Sequence, residues 1–442
     1  MSNPASGSRT TERAGVLAWA MWDCGSTGLS AIVVTFVFSV YLTGTVGHGM
    51  PGGTPPASWL GRALTVAGFT IAVLAPVIGV WVEAPRRRRT ALTMLTGFAV
   101  ALTCAMSLIR ADPDYLWAGL VLLAATAACT DLASVPYNAM LRHLSTPETS
   151  GRISGLGWAA GYAGSVILLL LIYLGFVSGT GATRGLLHLT THDGVNVRAA
   201  MLLAAAWFAL LASPLLFTAH RLHPVAEVSH PTAGIFGGYR KLWSDLTAEW
   251  RRDHNLVFFL VASAIFRDGL AGVFTFGAVL GVNVYGLSQA EVLIFGVAAS
   301  VVAACGAVLG GLFDDRLGSK PVIVGSLTAI VTLSLTLMAL SGPRPFWVCG
   351  LLLCLFIGPA QSSSRTLLLR MSKHGKEGVV FGLYTMTGRA VSFLAPWLFS
   401  VFVDVFHAVR AGMGGLCVVL ATGLLAMLVV RAPRRGGAVD RA

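Results

Sequence analysis

The chain has 442 residues, of which 55% are hydrophobic and 11% charged, with a formal net charge of +12 and a mean hydropathy of +0.75. That composition leaves too little polar surface to wet a soluble globule of this length, so the bilayer is the expected solvent. A G-x4-G-K-[ST] phosphate loop is missing, which excludes work driven by this chain's own nucleotide hydrolysis, and the seven cysteines show no C-x-x-C pairing that would indicate zinc or a disulfide framework.

A helix that crosses the hydrocarbon needs about 20 apolar residues, and twelve such stretches follow one another. They are predicted at 15–43, 58–83, 90–110, 115–140, 152–178 and 198–218, then at 254–285, 288–313, 320–341, 346–370, 377–403 and 411–431. Residues 1–13 read as a short polar tail. The first stretch is too long for a secretory signal and lacks a small-residue cleavage site, so it is expected to be a retained helix. Between the sixth and seventh stretches, 219–253 is the longest polar segment. Its second half, Tyr239 to Arg252, mixes Leu and Trp with Arg, Lys, Asp and Glu, which predicts a linker ending in an interfacial amphipathic helix. The chain divides there into a six-span bundle over 1–218 and a second over 254–442 that ends in a short basic tail.

Lys and Arg resist translocation and collect on the cytoplasmic face. With both termini inside, most of the 31 basic residues fall on that face, including Arg86 to Arg89, Arg142, Arg152, Arg316, Lys320, Arg370, Lys373 and Lys376. Only Arg62, Arg110, Arg184, Arg198, Arg344 and Arg410 fall on the other. Topology therefore accounts for the positive charge without a nucleic-acid partner, and runs such as Arg86 to Arg89 are expected to attract anionic lipid head groups. A bacterial plasma membrane is the expected site.

Two short signatures share one spacing: Gly79, Glu83 and Arg88, and, 232 residues later, Gly311, Asp315 and Lys320. Gly151, Gly155 and Gly161 recur as Gly378, Gly382 and Gly388 at a constant offset of 227. Paired charged loops and paired small residues in register indicate an internal duplication. A duplicated, twelve-span chain is built to rock one half against the other.

Two six-span repeats with acid-plus-base loops after spans two and eight resemble the major facilitator superfamily, and Gly311 to Lys320, G-L-F-D-D-R-L-G-S-K, looks like its loop signature. The first copy has drifted, with Glu83 in the acid position. The resemblance implies an all-α integral membrane protein with twelve transmembrane helices in two parallel-repeat bundles. It also implies that Gly79, Glu83, Arg88, Gly311, Asp315, Arg316 and Lys320 belong to gating loops, in which Glu83, Arg88, Asp315, Arg316 and Lys320 form cytoplasmic ion pairs. Four further segments resemble the vacuole-effluxer, autophagy-related branch: W-A-M-W-D-C-G-S-T-G from Trp19, V-P-Y-N-A-M-L from Val135, F-R-D-G from Phe266, and A-Q-S-S-S-R from Ala360 running on to F-G-L-Y and G-R-A-V-S-F-L-A-P. Fungal members of that branch are associated with amino-acid export from the vacuole. Arg267 and Cys24 depart from the residues the branch would carry there.

An ionisable group inside hydrocarbon costs about 2.5 to 3.5 kcal/mol even on insertion scales, so those that remain are informative. Asp23 lies in the first span, Asp131 in the fourth, Arg267 and Asp268 in the seventh, Arg365 in the tenth and Arg389 in the eleventh. In the superfamily, spans one, four, seven and ten line the cavity. Asp23 and Asp131 each lie about nine residues from a cytoplasmic helix end, about 13 Å deep at 1.5 Å per residue. They either face each other, raising one another's proton affinity and coupling protons, or hydrogen-bond to neighbours such as Ser26, Thr27 and Thr130. Asp268 and Arg389 share a level near the midplane, as a fixed brace or a switching pair, and Arg267 adds surplus positive charge for an anionic group on cargo. Trp22 and Tyr137 are the aromatic residues expected to clamp cargo, while Trp158, Tyr162 and Tyr384 are expected to pack first. Asn138, Gln361 and Tyr384, inside the resembling segments, complete the candidate solute set. Pro136, Pro359 and Pro396 are expected to bend spans four, ten and eleven. His188, His192 and Asp193 match no coordination template, and no metal or cofactor is expected.

These residues point to a monomeric secondary transporter that moves a small polar or zwitterionic solute, such as an amino acid, outward with protons. The alternatives are a multidrug or metabolite exporter, a facilitator without proton coupling, and a membrane sensor that transports nothing. The fifth span lacks the Gly-Pro pair of many drug-proton antiporters, and no H-E-x-x-H or G-x-S-x-G constellation points to an enzyme.

Overall fold

The structure is a computed structural model that describes residues 4–48, 56–179, 181–218, 254–287 and 289–432. The predicted linker and its amphipathic helix, and the tail from 433 onward, lie outside the described residues.

Among the described residues, twelve helices are long and apolar enough to cross a membrane. They are α1 (Arg13–Val46), α2 (Trp59–Trp81), α3 (Pro85–Met106), α4 (Pro113–Ala139), α5 (Ser150–Val177) and α6 (His192–Thr218). The second set is α7 (Asn255–Gly277), α8 (Ile294–Leu317), α9 (Ser319–Ala339), α10 (Pro343–Met371), α11 (Glu377–Phe406) and α12 (Ala411–Val429). Phe69, Leu210, Phe217 and Leu425 are more than half exposed. Large apolar side chains on the outside suit a lipid solvent, and a helix satisfies its own backbone there.

Local chemistry moves some boundaries away from the hydropathy reading. α3 starts at Pro85, not near residue 90: Ala84 is extended, Pro85 occupies a first helical position that its fixed φ favours, and Arg86 to Arg89 form the first turn. The predicted tail is also shorter, because a helix runs unbroken from Pro4 to Ser30 and leads into α1. Beyond Ser30, a run of β-branched side chains coincides with π-helical winding over Ala31–Phe36.

Pro136 and Pro359 sit inside helices that continue past them. α11 does break, into Glu377–Val391 and Leu394–Phe406. Pro396 lies in the first turn of the second piece, where its missing N–H costs nothing, while its ring would clash with the Ser392 carbonyl of a continuous helix. A two-stranded antiparallel hairpin, β1 (Thr183–Arg184) and β2 (Leu189–Thr190), precedes α6.

Contacts group the helices into two compact units. The first holds Met1–Leu74, Ala84–Tyr137 and Ala160–His230, and the second Ala75–Glu83, Asn138–Ala159 and Pro231–Ala442. In the first, α6 packs on α1 and α3. In the second, α10 packs on α8 and α9, and α12 on α7. The end of α2 and the turn from α4 into α5 thus belong with the second-half helices.

Candidate functional site

In the first unit, the deep residues of α1 and α4 are set by an aromatic stack. Tyr137 lies between Trp19 and Trp22, with ring centroids 4.5 and 4.3 Å away. All three are almost fully buried. The Trp22 indole donates to Thr96 Oγ1 at 3.1 Å and the Trp19 indole to the Tyr137 carbonyl at 3.1 Å. Buried indoles need such partners. Trp22 and Tyr137, expected to clamp cargo, are packed in this stack. Asp23, one residue on from Trp22, is half-buried and accepts from Thr27 Oγ1 at 3.3 Å. Asp131 is half-buried on α4.

In the second unit, Arg267 of α7 stacks over the Tyr384 ring at 3.7 Å and donates to the Tyr384 carbonyl at 3.2 Å. Its guanidinium also lies against Gly388, where a Cβ would approach it to 3.0 Å. The Tyr384 hydroxyl pairs with Ser364 Oγ at 2.8 Å, and Arg365 sits over the Trp158 ring at 5.4 Å. Asp268 is buried and accepts from the Ala395 amide at 2.6 Å. Its bond goes to the backbone at the break in α11, where the sequence pointed to Arg389. Arg389 itself is exposed, Asn138 is buried and Gln361 half-buried.

The densest chemistry lies where α2, α4 and α5 meet α8, α10 and α11 within the same unit. Asp315 Oδ1 accepts from the Gly151 amide at 2.8 Å, and Asp315 Oδ2 from the Arg152 amide at 3.1 Å and Arg152 Nε at 2.9 Å. A carboxylate thus caps the positive end of α5. Arg370 reaches Asp314 at 2.6 Å, Ser319 Oγ at 2.8 Å, Ser150 Oγ at 3.2 Å and the Pro147 carbonyl at 3.2 Å. Arg142 meets Glu377 at 2.6 Å and donates to the Leu369 carbonyl at 2.6 Å and to Ser372 at 2.7 Å. Lys376 meets Glu83 at 3.2 Å. Charge-assisted bonds of this length are the strong ones. In the turn before α5, Thr146 holds the exposed Glu148 carboxyl below its ordinary range.

Glycines permit the approach that these bonds need. A Cβ on Gly79 would sit 2.5 Å from the Gly378 carbonyl, and one on Gly311 would sit 2.5 Å from that of Gly151. The α2–α11 crossing is thus repeated as α8–α5, which is the duplication seen in three dimensions. The family model described as vacuole effluxer Atg22-like matches residues 59–438. The chain belongs to that family.

Other comparisons agree with this placement. The Atg22-like chain is 20% identical over 414 residues to an uncharacterized MFS-type transporter, YxiO, of Bacillus subtilis (strain 168), covering 93% of this chain and 94% of that one. It is 26% identical over 317 residues to autophagy-related protein 22 of Yarrowia lipolytica, covering 65% of this chain but only 52% of the fungal protein. Among solved structures, it superposes on the proton:xylose symporter XylE with a TM-score of 0.69 at 12% identity, over 96% of this chain and 95% of that one. It superposes on a bacterial homologue of the iron transporter ferroportin, in an outward-facing state, with a TM-score of 0.68 at 16% identity, over 95% and 98%. The Atg22-like chain is a multi-pass membrane protein and a transporter of the major facilitator type.

Sequence reasoning for this Atg22-like chain named Glu83, Asp315 and the two glycines but missed Arg142, Arg152, Asp314, Arg370, Lys376 and Glu377. The internal repeat could have found two of the contacts: an offset of 227 carries Ser150 onto Glu377 and one of 228 carries Arg142 onto Arg370, so Arg370 on Ser150 and Arg142 on Glu377 stand at equivalent places in the two halves. Lys320 does not pair with Asp315. It donates to the carbonyls of Leu428 at 2.9 Å and Val430 at 2.6 Å, capping the negative end of α12. Arg88 is buried in the first turn of α3, and Arg316 lies in the last turn of α8.

Proposed function

We propose that the chain is a secondary transporter that works by alternating access and moves a small polar or zwitterionic solute, such as an amino acid, outward in exchange for protons. The observation that carries this reading is the duplicated arrangement of glycine crossings and ion pairs around Asp315, Arg370, Arg142 and Glu377. Such a lattice is a gate: it is strong when assembled, and every bond in it can be exchanged for water when the helices part. We assign that end to the cytoplasm, because the basic residues concentrate there, and we place both termini on the same side of a bacterial plasma membrane.

The deep residues supply polarity for a zwitterion. Asp23 and Asp131 offer carboxylates to an ammonium group or a proton, while Arg267, Arg365 and Arg389, with Asn138, Gln361 and Tyr384, offer donors to a carboxylate. Membership of the Atg22-like vacuole-effluxer family, whose fungal members are associated with amino-acid export, favours a metabolite cargo over a drug. The test is flux in proteoliposomes under an imposed pH gradient, scoring amino acids, dipeptides, sugars and cationic drugs together with reciprocal proton movement. Amino-acid flux tied to proton movement is the expected result. Flux of cationic drugs alone would replace this reading with drug export, and solute flux without proton movement would replace it with facilitation.

A further inference from the structure

α11 is built from two pieces held by different neighbours. The first is fixed against α2, where Gly378 meets Gly79 and Gly382 meets Ala75, and against α7 through Arg267 on Tyr384. The second lies on α7 and α12. Phe399 stacks on Phe276 with centroids 3.9 Å apart and a 9° angle between the planes, Ala395 packs against Gly272, and Phe399 packs against Gly412. Between the pieces lie Ser392 and Phe393. The Ala395 amide falls in the first turn of the second piece, where the helix offers no carbonyl to accept from it. Its acceptor is Asp268 Oδ2, at 2.6 Å, on a residue only 7% exposed.

We propose that Asp268 is a proton-dependent positioning residue that holds the break in α11, so that uptake of a proton releases the second piece from α7. The proposal rests on the proton-coupled reading above and gives its proton a place. An ionised carboxylate at a helix N-terminus is favoured both by its charge and by the amides aimed at it. When Oδ2 takes a proton from water, it becomes a hydroxyl, and the Ala395 amide loses its charged acceptor. Release of the same proton restores the bond, and no other atom changes.

Among the described residues, the charged and titratable groups on the surrounding helices make no bond to Asp268. On α7, Arg267 is held by Tyr384 and Gly388. On α11, exposed Arg389 precedes the break by three residues. On α12, Cys417 is buried and bonded to Ser334. On α10, Arg365 is held over Trp158. Because the carboxylate is spent on the backbone, its titration acts on helix geometry and not on an ion pair. That separates Asp268 from the acids at the α5 and α11 starts.

Amide hydrogen exchange on the full chain in lipid nanodiscs tests this directly, with rates corrected for the intrinsic effect of pH. The expected result is that residues 393–398 open about five-fold more in acid than at neutral pH, the size of a lost helix cap, while α12 is unchanged. Asp268→Asn should show the opened level at both pH values, and Asp268→Glu, which keeps a charge, should keep the pH response. A segment whose protection ignores pH in the natural chain, or an Asn variant that retains the full response, overturns the proposal. If the Asn variant does not fold, the natural chain and the Glu variant decide the matter alone. Failure of proton-driven flux beside an intact exchange response would count against coupled transport and leave the Asp268 device supported.

Discussion

Arg370 and Arg152 reach the same pair of neighbouring acids from unequal surroundings. The Arg370 side chain is 19% exposed and meets Asp314, which has no exposure at all, whereas that of Arg152 is 54% exposed and meets Asp315, which keeps the Gly151 and Arg152 amides as further donors. Removing one partner of a buried pair strands a charge and costs about 3–5 kcal/mol, while an exposed pair is worth about 0–1 kcal/mol. Arg370→Ala should therefore lower the thermal midpoint of the purified protein several-fold more than Arg152→Ala, as read by thermal unfolding in detergent. Equal shifts would show that the Asp314 pair is no stronger than a surface one. Individual roles were the least legible part of the sequence. The cost of charge in lipid drew attention to Asp23, Arg267, Asp268 and Arg389, but it could not tell that Asp268 accepts from a backbone amide. That choice is made by the break in α11, which depends on tertiary contact. The stack of Trp22 and Tyr137 with Trp19 was illegible for the same reason, since it needs α1 and α4 to be placed side by side.

Helix crossings depend on atoms that are not there. At Gly79 and Gly311 the neighbouring backbone leaves no room for a Cβ, so Gly79→Val and Gly311→Val must each force the crossing apart. The duplication predicts matched effects: each variant should weaken the ion-pair lattice and cut solute flux by about ten-fold or more, comparable to the loss of about one to two kcal/mol of lattice stability. Flux measured in proteoliposomes at equal protein density checks this. A large effect from one glycine with none from the other would refute the equivalence of the two crossings. At this scale the sequence was more informative, because small residues in register leave a pattern that survives drift in the loops. Helix starts were harder. Hydropathy stops at the first charge, so it cut Arg86 to Arg89 from α3, while Pro85 and the geometry of a first turn keep them inside.

Twelve apolar stretches and a register of 227 residues were enough to foresee the architecture, because lipid allows few alternatives to a helix bundle. They could not reveal that the end of α2 and the turn from α4 into α5 group with the second-half helices, since that depends on the close approaches at Gly79 and Gly311 and on the bonds from Lys376 to Glu83, Arg142 to Glu377 and Arg370 to Ser150. We propose that this lattice is the closed gate of an alternating carrier. Paired spin labels at Thr146, in the turn before α5, and Lys373, in the turn before α11, measure it most directly by pulsed dipolar spectroscopy in nanodiscs. Both positions are exposed. The account predicts a single short distance in the natural background at neutral pH, and a second, longer population when Asp315→Asn removes the acid that caps α5. A distance that stays single and short in the Asn variant, and in the presence of any solute that the flux screen identifies, would contradict it.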